Sequence, residues 1–578
     1  MKYQDILRSH LAALYGESAG MLTWNALAEI LERYRPRLPQ QGRPTGERGR
    51  LTQRDALLIT YGDMLRQPGI PPLRSLAEFC QEWLPGLISG VHLLPFYPSS
   101  SDDGFSVIDY RAVEPALGDW RDIQALGKRF RLMFDAVINH VSASSAWFKG
   151  YLEGDSRYRE YFITVEGQPD LSRVVRPRAL PLLTEFQTRY GPKQVWTTFS
   201  ADQVDLNYRK PQVLLEIAET LLFYASQGAE FIRLDAIAYL WKEIGTACIH
   251  LPQTHRVIQL LRSLLDAVAP HVFLVSETNV PHAENLSYFG DGKNESQMVY
   301  NFALPPLVLH SLHSGRSAAL SRWASGLRLP SDQVAFFNFL ASHDGIGLNP
   351  ARGLLSQAEI EALVQKTLAH GGLISYKHDP GGLQSAYELN INFFDALNDP
   401  QASEPIETQV ERFMTAQAIM LSLAGVPGIY FHSLFGSRGW SEGVRLTGRN
   451  RTINRQKLDR ATFEDELGNP SSLRSQVFSR FSRLLQARAA AGAFAPSSPQ
   501  QVLECGEAIF GVLRGAGEGS IACLHNLSDR AQKLCLDALN RFAGRAGELT
   551  DLARGRPVHL TGGEIRLLPY QTLWLAIA

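Results

Sequence analysis

Phe231-Ile232-Arg233-Leu234-Asp235-Ala236 is a short apolar run that ends with an Arg and an Asp two residues apart. Side chains at i and i+2 of a strand share a face, so Arg233 and Asp235 are expected to project together into one cavity at the strand's carboxyl end. A second run, His271-Val272-Phe273-Leu274-Val275-Ser276, leads into Glu277, and a third, Val334 through Ala341, leads into Ser342-His343-Asp344. Three buried-looking strands thus deliver one carboxylate each at the same end. A reaction at a sugar C–O bond needs acids arranged in this way, one on each side of the anomeric carbon.

Working outward, short apolar strands alternate with amphipathic helical patterns. The strand candidates are Ala56–Tyr61, Gly90–Phe96, Arg131–Ile138, Glu230–Leu234, His271–Ser276, Met298–Leu304, Ala335–Ala341 and Gly428–Phe431. Eight strands separated by helices predict an α/β fold, a closed parallel (β/α)8 TIM barrel. Two spacings are too long for simple strand-to-helix loops and read as inserts after strands three and seven. Residues 1–50 show helix-like spacing (Ile6, Leu11, Leu14, Tyr15; Leu22, Leu27, Ile30, Leu31), closed by the polar Pro36–Gly49 stretch. Beyond about residue 492, short alternating runs at Ala508–Leu513, Ser520–Leu524, Lys533–Leu536 and Gln571–Ala576 predict a small β-domain. The expected organisation is an N-terminal helical extension (1–50), barrel (51–138), insert (139–205), barrel (206–344), insert (345–410), barrel (411–491) and C-terminal β-domain (492–578).

A formal net charge of −1 gives no global electrostatic case for nucleic acid or anionic membranes as partners. The five cysteines are few, odd in number and without metal-ligand spacing, so neither a disulfide framework nor a metal site is expected. The opening Met1–Ile6 has no apolar core of a secretory signal. The longest apolar stretch, Ala418 to Phe431, is broken by Gly425, Pro427 and Gly428 and is too short for a bilayer. The expectation is a cytoplasmic, soluble protein that is monomeric or homodimeric, needs no cofactor and acts on small molecules.

Each carboxylate suits a distinct task. Asp235, kept ionised by Arg233, suits a nucleophile. Glu277 suits the acid/base, which requires a raised pKa. Asp344 suits holding ring hydroxyls and stabilising the positive charge that develops on the ring. Any one Asp at a strand end is more often a helix cap or surface ion pair; three together at the ends of barrel strands reverse that judgement. Phe134-Asp135-Ala136-Val137-Ile138-Asn139-His140 ends in an imidazole placed to bond a sugar hydroxyl. Asp102 with Phe105 pairs acceptor oxygens with an apolar platform for a sugar ring.

Asp135…Asn139-His140, Arg233-Leu234-Asp235-Ala236, Glu277 and His343-Asp344 resemble, in order and spacing, the four signature regions of the α-amylase superfamily, glycoside hydrolase family 13. Gly90–Phe96, Arg176-Pro177-Arg178, Trp196–Phe199, Gln203-Val204-Asp205, Phe302–Pro306, His343–Gly347 and Asn450–Arg455 resemble its sucrose phosphorylase group. That resemblance implies a retaining double displacement in which Asp235 carries a covalent β-glucosyl group that phosphate removes as α-glucose 1-phosphate. By position it implies that Asp102, Phe105, His140, Arg233, His343, Asp344 and Arg451 hold the donor glucose. Phe199, Gln203 and Tyr239 would line the exit side, and Arg178 would meet phosphate. Glu277-Thr278-Asn279 stands where short sucrose phosphorylases have Glu-x-His. With the N-terminal extension, this is similar to a longer branch that also includes glucosylglycerate phosphorylases. The first expectation for the substrate is sucrose, with glucosylglycerate or glucosylglycerol as the rival. A sucrose hydrolase or transglucosidase comes next, and a non-catalytic amylase-like subunit, which should lack one of the three acids, comes last. Arg352, Lys377, His378, Tyr387 and Glu388 of the second insert are the candidates for contacting the leaving group.

Overall fold

The computed structural model describes residues 2–38, 51–178, 180–378, 384–535, 539, 549–558, 560 and 563–577. Eight parallel strands close into a barrel: β1 (Leu57–Thr60), β2 (Gly90–Leu93), β3 (Arg131–Val137), β4 (Ala229–Asp235), β5 (Phe273–Ser276), β6 (Met298–Tyr300), β7 (Ala335–Asn338) and β8 (Val426–Tyr430). Each pairs with its sequence neighbours, and β1 pairs with β8, so the sheet has no free edge. The strands are buried on both faces, which is why they read as nearly continuous apolar runs. Helices Pro72–Trp83, Trp120–Gly127, Pro211–Ser226, Pro252–Val268, Leu304–Ser314 and Ile406–Ser422 cover the outside. Between β5 and β6 only the short His282–Leu286 helix and a single tight turn intervene.

Seven strand positions match the expected ones to within a few residues. The sixth ends early, because Leu304-Pro305-Pro306 opens a helix rather than closing a strand. Proline is favoured in a first helical turn, where its missing N–H costs nothing. The insert after β3 rises on a two-stranded stem, His140–Ser142 against Gln203–Asp205, and carries a three-stranded sheet. The insert after β7 holds the Gln357–Ala369 helix and the antiparallel pair Leu373–His378 and Gln384–Asn390. The helix leading into β8 begins at Ile406, a few residues before the expected boundary at 410.

At the amino end, helices Lys2–Tyr15 and Glu17–Tyr34 form a hairpin against barrel helices 252–268 and 211–226. Gly20 permits their close approach: a Cβ there would lie 2.8 Å from the Ala12 nitrogen. Most of the expected Pro36–Gly49 closure lies outside the described residues. The C-terminal unit is a six-stranded antiparallel sheet with a separate two-stranded pair. Within it, Gln500–Leu503, Leu549–Asp551 and Glu564–Leu567 are strands that the sequence pattern did not announce, and Leu536 is not described.

Inside the barrel, Gly428 of β8 makes room for the Phe337 ring of β7; a Cβ at 428 would stand 2.3 Å from its Cζ. Gly428→Ala is therefore expected to destabilise the protein by about 1–3 kcal/mol through overpacking. A denaturant midpoint unchanged from wild type would show that the ring has somewhere else to go.

Candidate active site

The β4–β5 register pairs Leu234 with Ser276, so Asp235 and Glu277 follow on neighbouring strands at the barrel's carboxyl mouth. The ladder continues one step further, with the Glu277 amide donating to the Leu234 carbonyl at 3.2 Å. Beneath both carboxylates lies Arg233. Its Nη1 is 3.1 Å from Asp235 Oδ1 and its Nη2 is 3.7 Å from Glu277 Oε1. The same Nη1 also pairs with Asp135 Oδ1 on β3. His92 of β2 completes the layer, with Nε2 2.8 Å from Asp135 Oδ2. Four adjacent strands thus contribute to one buried charge network.

Burial pushes the protonation of both Asp235 and Glu277 upward, and it acts against the pull of Arg233; Glu277 adds to the rise at Asp235, and Asp344 to that at Glu277. The pair therefore retains a proton at pH values where isolated carboxyls have lost theirs. The direct bond from Arg233 to Asp235, against the longer contact to Glu277, favours the charge on Asp235 and the proton on Glu277. Burial would also raise Asp135, but Arg233 and His92 hold it at about 2. Immediately after Asp235, Ala236 adopts a left-handed backbone (φ 52°), which turns its amide toward Glu277 Oε2 at 3.3 Å. Such a conformation costs an alanine about 1 kcal/mol.

The opposite wall comes from the loops after β2 and β7. Asp102 and Asp103 are both left-handed (φ 53° and 50°), and Gly104 (φ 109°) packs on the Pro95 carbonyl, which a Cβ would meet at 2.6 Å. This tight turn aims Asp102 at the cavity, where it accepts from Arg178 Nη2 at 3.0 Å and from Gln203 Nε2 at 3.3 Å. Phe105 stacks flat on His343, with centroids 4.8 Å apart and planes 3° from parallel. Burial lowers the His343 pKa to about 3, so the ring is neutral. Arg455 ties the two loops together: it pairs with Asp103, donates to the His343 carbonyl at 2.8 Å and lies 3.4 Å from Asp344 Oδ1.

Asp344 Oδ1 also lies 2.6 Å from Arg451 Nη1. Arg451 in turn grips Glu388 of the second insert through two bonds, at 3.0 and 2.6 Å. Burial alone would raise Asp344 and Asp102, but the surrounding arginines hold both well below the ordinary carboxylate range. The first insert supplies Phe199, whose ring meets Tyr239 edge-on at 5.5 Å and lies 5.7 Å below the Arg178 guanidinium.

One pocket of about 730 Å3, part of it open solvent, is bounded by Asp102, Phe105, His140, Arg178, Phe199, Gln203, Asp235, Tyr239, Glu277, His343, Asp344 and Arg451. Of the residues expected to do the chemistry or to hold glucose and phosphate, only Arg233 is outside this lining; of the second-insert candidates for the leaving group Tyr387 is in it, whereas Arg352, Lys377 and Glu388 are not. Arg233 acts from behind, on the carboxylates. His140 is in the wall, but Nε2 bonds the Phe105 carbonyl at 3.0 Å and Nδ1 faces Asn139 Nδ2 at 3.3 Å, so both its nitrogens are engaged within the protein. Asn279 and Tyr387 also line the pocket, joined by a 3.3 Å bond from Asn279 Nδ2 to the phenol oxygen; the Asn279 Oδ1 is buried without a partner.

A second buried network fixes the first insert to the barrel. The Lys242 ammonium, in the loop after β4, sits 2.6 Å from Asp205 Oδ2 and 2.7 Å from Asn139 Oδ1. Asp205 and Asn139 stand at the two ends of the insert. Asp205 also accepts from the amide and hydroxyl of Thr198, each at 2.7 Å. Among the described residues no cluster of three or more His, Cys, Asp or Glu is disposed to hold a metal ion, and no helix is long and apolar enough to cross a membrane.

Residues 86–344 match the family model for the α-amylase catalytic domain. A protein named glucosylglycerate phosphorylase, from Allomeiothermus silvanus, is 49% identical over 572 residues, covering 99% of this chain and 98% of its own. One named sucrose phosphorylase, from Agrobacterium vitis, is 31% identical over 457 residues, covering 73% and 86%. Among solved structures, sucrose 6F-phosphate phosphorylase from Thermoanaerobacter thermosaccharolyticum superposes with a TM-score of 0.72 at 24% identity, covering 82% of this chain and 94% of that one.

Replacing Lys242 by Met leaves a buried carboxylate without its cation, and the expected loss of stability is about 3–5 kcal/mol. Adding Asp205→Asn to that variant should recover part of it, as read from urea unfolding. Equal midpoints for wild type and Lys242→Met would show that the stem stands without the ammonium.

Proposed function

From the premise that the chain belongs to the sucrose phosphorylase group of the α-amylase superfamily and is a hexosyl-transferring enzyme of the phosphorylase type, we propose that it is a glucosylglycerate phosphorylase. It converts α-glucosylglycerate and phosphate to α-glucose 1-phosphate and glycerate. The observation that carries this reading is near-full-length similarity to a glucosylglycerate phosphorylase, against weaker and shorter similarity to a sucrose phosphorylase. Sucrose, placed first on the sequence alone, yields to the rival weighed beside it.

In this mechanism the Asp235 carboxylate attacks the anomeric carbon while Glu277 gives its proton to the departing glycerate oxygen. The C–O bond to glycerate breaks and an ester bond to Asp235 forms, with inverted configuration. A phosphate oxygen then attacks from the face that glycerate left, Glu277 serves that step as base, and a second inversion restores the α configuration. Arg233 keeps the nucleophile ionised. Asp344 and Asp102, both firmly anionic, accept from ring hydroxyls, and Phe105 offers its face to the ring's C–H surface.

Glycerate carries a carboxylate and phosphate is a dianion. Both pass through the same side of the pocket, one after the other. Arg178 faces that side and spends only Nη2 on Asp102, so the rest of its fork is available to each anion in turn. Asn279 and Tyr387, in the place of the family's Glu-x-His pattern and on the second insert, are assigned to the leaving group. The buried Asn279 Oδ1 can accept one of its hydroxyls.

The test is to supply phosphate with glucosylglycerate, glucosylglycerol or sucrose in turn and to measure glucose 1-phosphate. Glucosylglycerate is expected to exceed sucrose in kcat/KM by about 100-fold or more, since a site built around an anionic group is left unpaired by a neutral one. Equal or faster phosphorolysis of sucrose would overturn the assignment. Asp235→Asn should abolish turnover. Glu277→Gln should spare an activated fluoride donor far more than the natural one, and it should remove the alkaline limb of the kcat/KM profile, which reports loss of the Glu277 proton. Arg178→Ala should lower phosphorolysis by about 10- to 150-fold, the loss of one charge-assisted contact, and shift product toward free glucose. An unchanged product ratio removes Arg178 from the anion site.

A further inference from the structure

A second concavity, of about 1050 Å3 with the open solvent above it included, lies where helices Ile406–Ser422 and Leu473–Ala490 meet the C-terminal sheet. Four guanidiniums line it, Arg480, Arg483, Arg554 and Arg556, against two carboxylates, Glu407 and Glu411. The carboxylates are already committed. Arg480 is 3.0 Å from Glu407 and 3.2 Å from Glu411, and Arg554 reaches Glu411 at 3.4 Å and the buried Asp551 at 3.9 Å. Glu411 therefore bridges a barrel helix to the β-domain. Arg483 spends only Nε, on the Ser479 carbonyl at 3.2 Å; Arg556 lies in the field of the buried Asp551, across the strand pair, but no ion-pair contact to a carboxylate is formed by either arginine among the described residues. Both are exposed at the rim, while Met414 and Leu484 give the floor an apolar character.

We propose that this cleft is a second binding site, for a phosphate monoester of a small polar molecule such as a sugar phosphate. Two guanidinium forks with no carboxylate in contact match a phosphate's oxygens, and the excess of cations over anions around the cleft matches its charge. A concave, partly apolar wall suits a small molecule rather than an extended polyanion. Held between Arg483 on the helix and Arg556 on the β-domain, the ligand would brace the two units alongside the Glu411 bridge. The site lies outside the pocket assigned to catalysis and calls on none of its residues.

The probe is α-glucose 1-phosphate, titrated by calorimetry into the full chain carrying Asp235→Asn so that nothing turns over. Inorganic phosphate and sulfate form the other arms. Two classes of site are expected, and adding Arg483→Gln with Arg556→Gln should weaken one of them by about 10-fold or more while leaving the other. Arg483→Lys, which keeps the charge but loses the fork, should fall between. With Asp235 intact, the double variant should retain wild-type phosphorolysis, which also shows that it is folded. The proposal is overturned if the binding isotherm is the same with and without the two arginines. It is equally overturned if sulfate binds as tightly as the sugar phosphate, which would mean an unselective anion patch. Preference for inorganic phosphate over the ester would identify the free anion as the ligand and overturn the ester assignment. These readouts are of binding, so they succeed or fail separately from the choice of glucoside.

Discussion

Three carboxylates from three neighbouring strands converge on one guanidinium, and the mouth of the barrel depends on it. Arg233 contacts Asp135, Asp235 and Glu277 at once, in a position closed to solvent. Without that charge, burial would drive protons onto the acids, and none could be relied on as a carboxylate near neutral pH. With it, the three are differentiated by distance. Asp135 is bound tightly and stays ionised, Asp235 is held directly, and Glu277 lies at the longest reach. On the proposed reading, that difference in reach between the two ends of one side chain sets two otherwise similar acids to different tasks.

The barrel and its three acids were legible in the chain because both follow from short-range rules. Strand period put Arg233 and Asp235 on one face, and alternation of strands with helices predicted the closed sheet. The acids could be named before any distance was known, because parallel strands in sequence place their carboxyl ends together. What was not legible is long-range. That Arg233 stands behind the pocket rather than in it depends on Asp135, about a hundred residues away. The partners of Asn279 and Arg451, Tyr387 and Glu388, sit on an insert whose path no local pattern describes. Arg178, Phe199 and Gln203 were reachable only through likeness to a family, since each is an ordinary loop residue by spacing. The overlong sixth strand was avoidable, as Pro305-Pro306 marks a helix start.

Geometry at the mouth is fixed by ties between loops rather than within them. Arg455 holds the turn after β2 to the segment after β7, and in doing so it fixes the two loops that carry Asp102 and Asp344. Arg451 extends the chain of contacts to Glu388 and so couples the second insert to Asp344. The left-handed turn at Asp102 and Asp103 is held in place by the Arg455 tie, and that at Ala236 by its amide's bond to Glu277. On the proposed reading, the rigid ties surround the glucose that every half-reaction shares. The side that must admit first glycerate and then phosphate is lined by the less heavily bonded Arg178 and Asn279.

The ammonium of Lys242, sealed between Asn139 and Asp205, is a positive charge that the polypeptide carries on its own covalent tether. Unlike a dissolved ion it has no off-rate, cannot be diluted away and offers a chelator nothing to extract. The junction between barrel and first insert therefore carries its own counter-charge and draws none from solution.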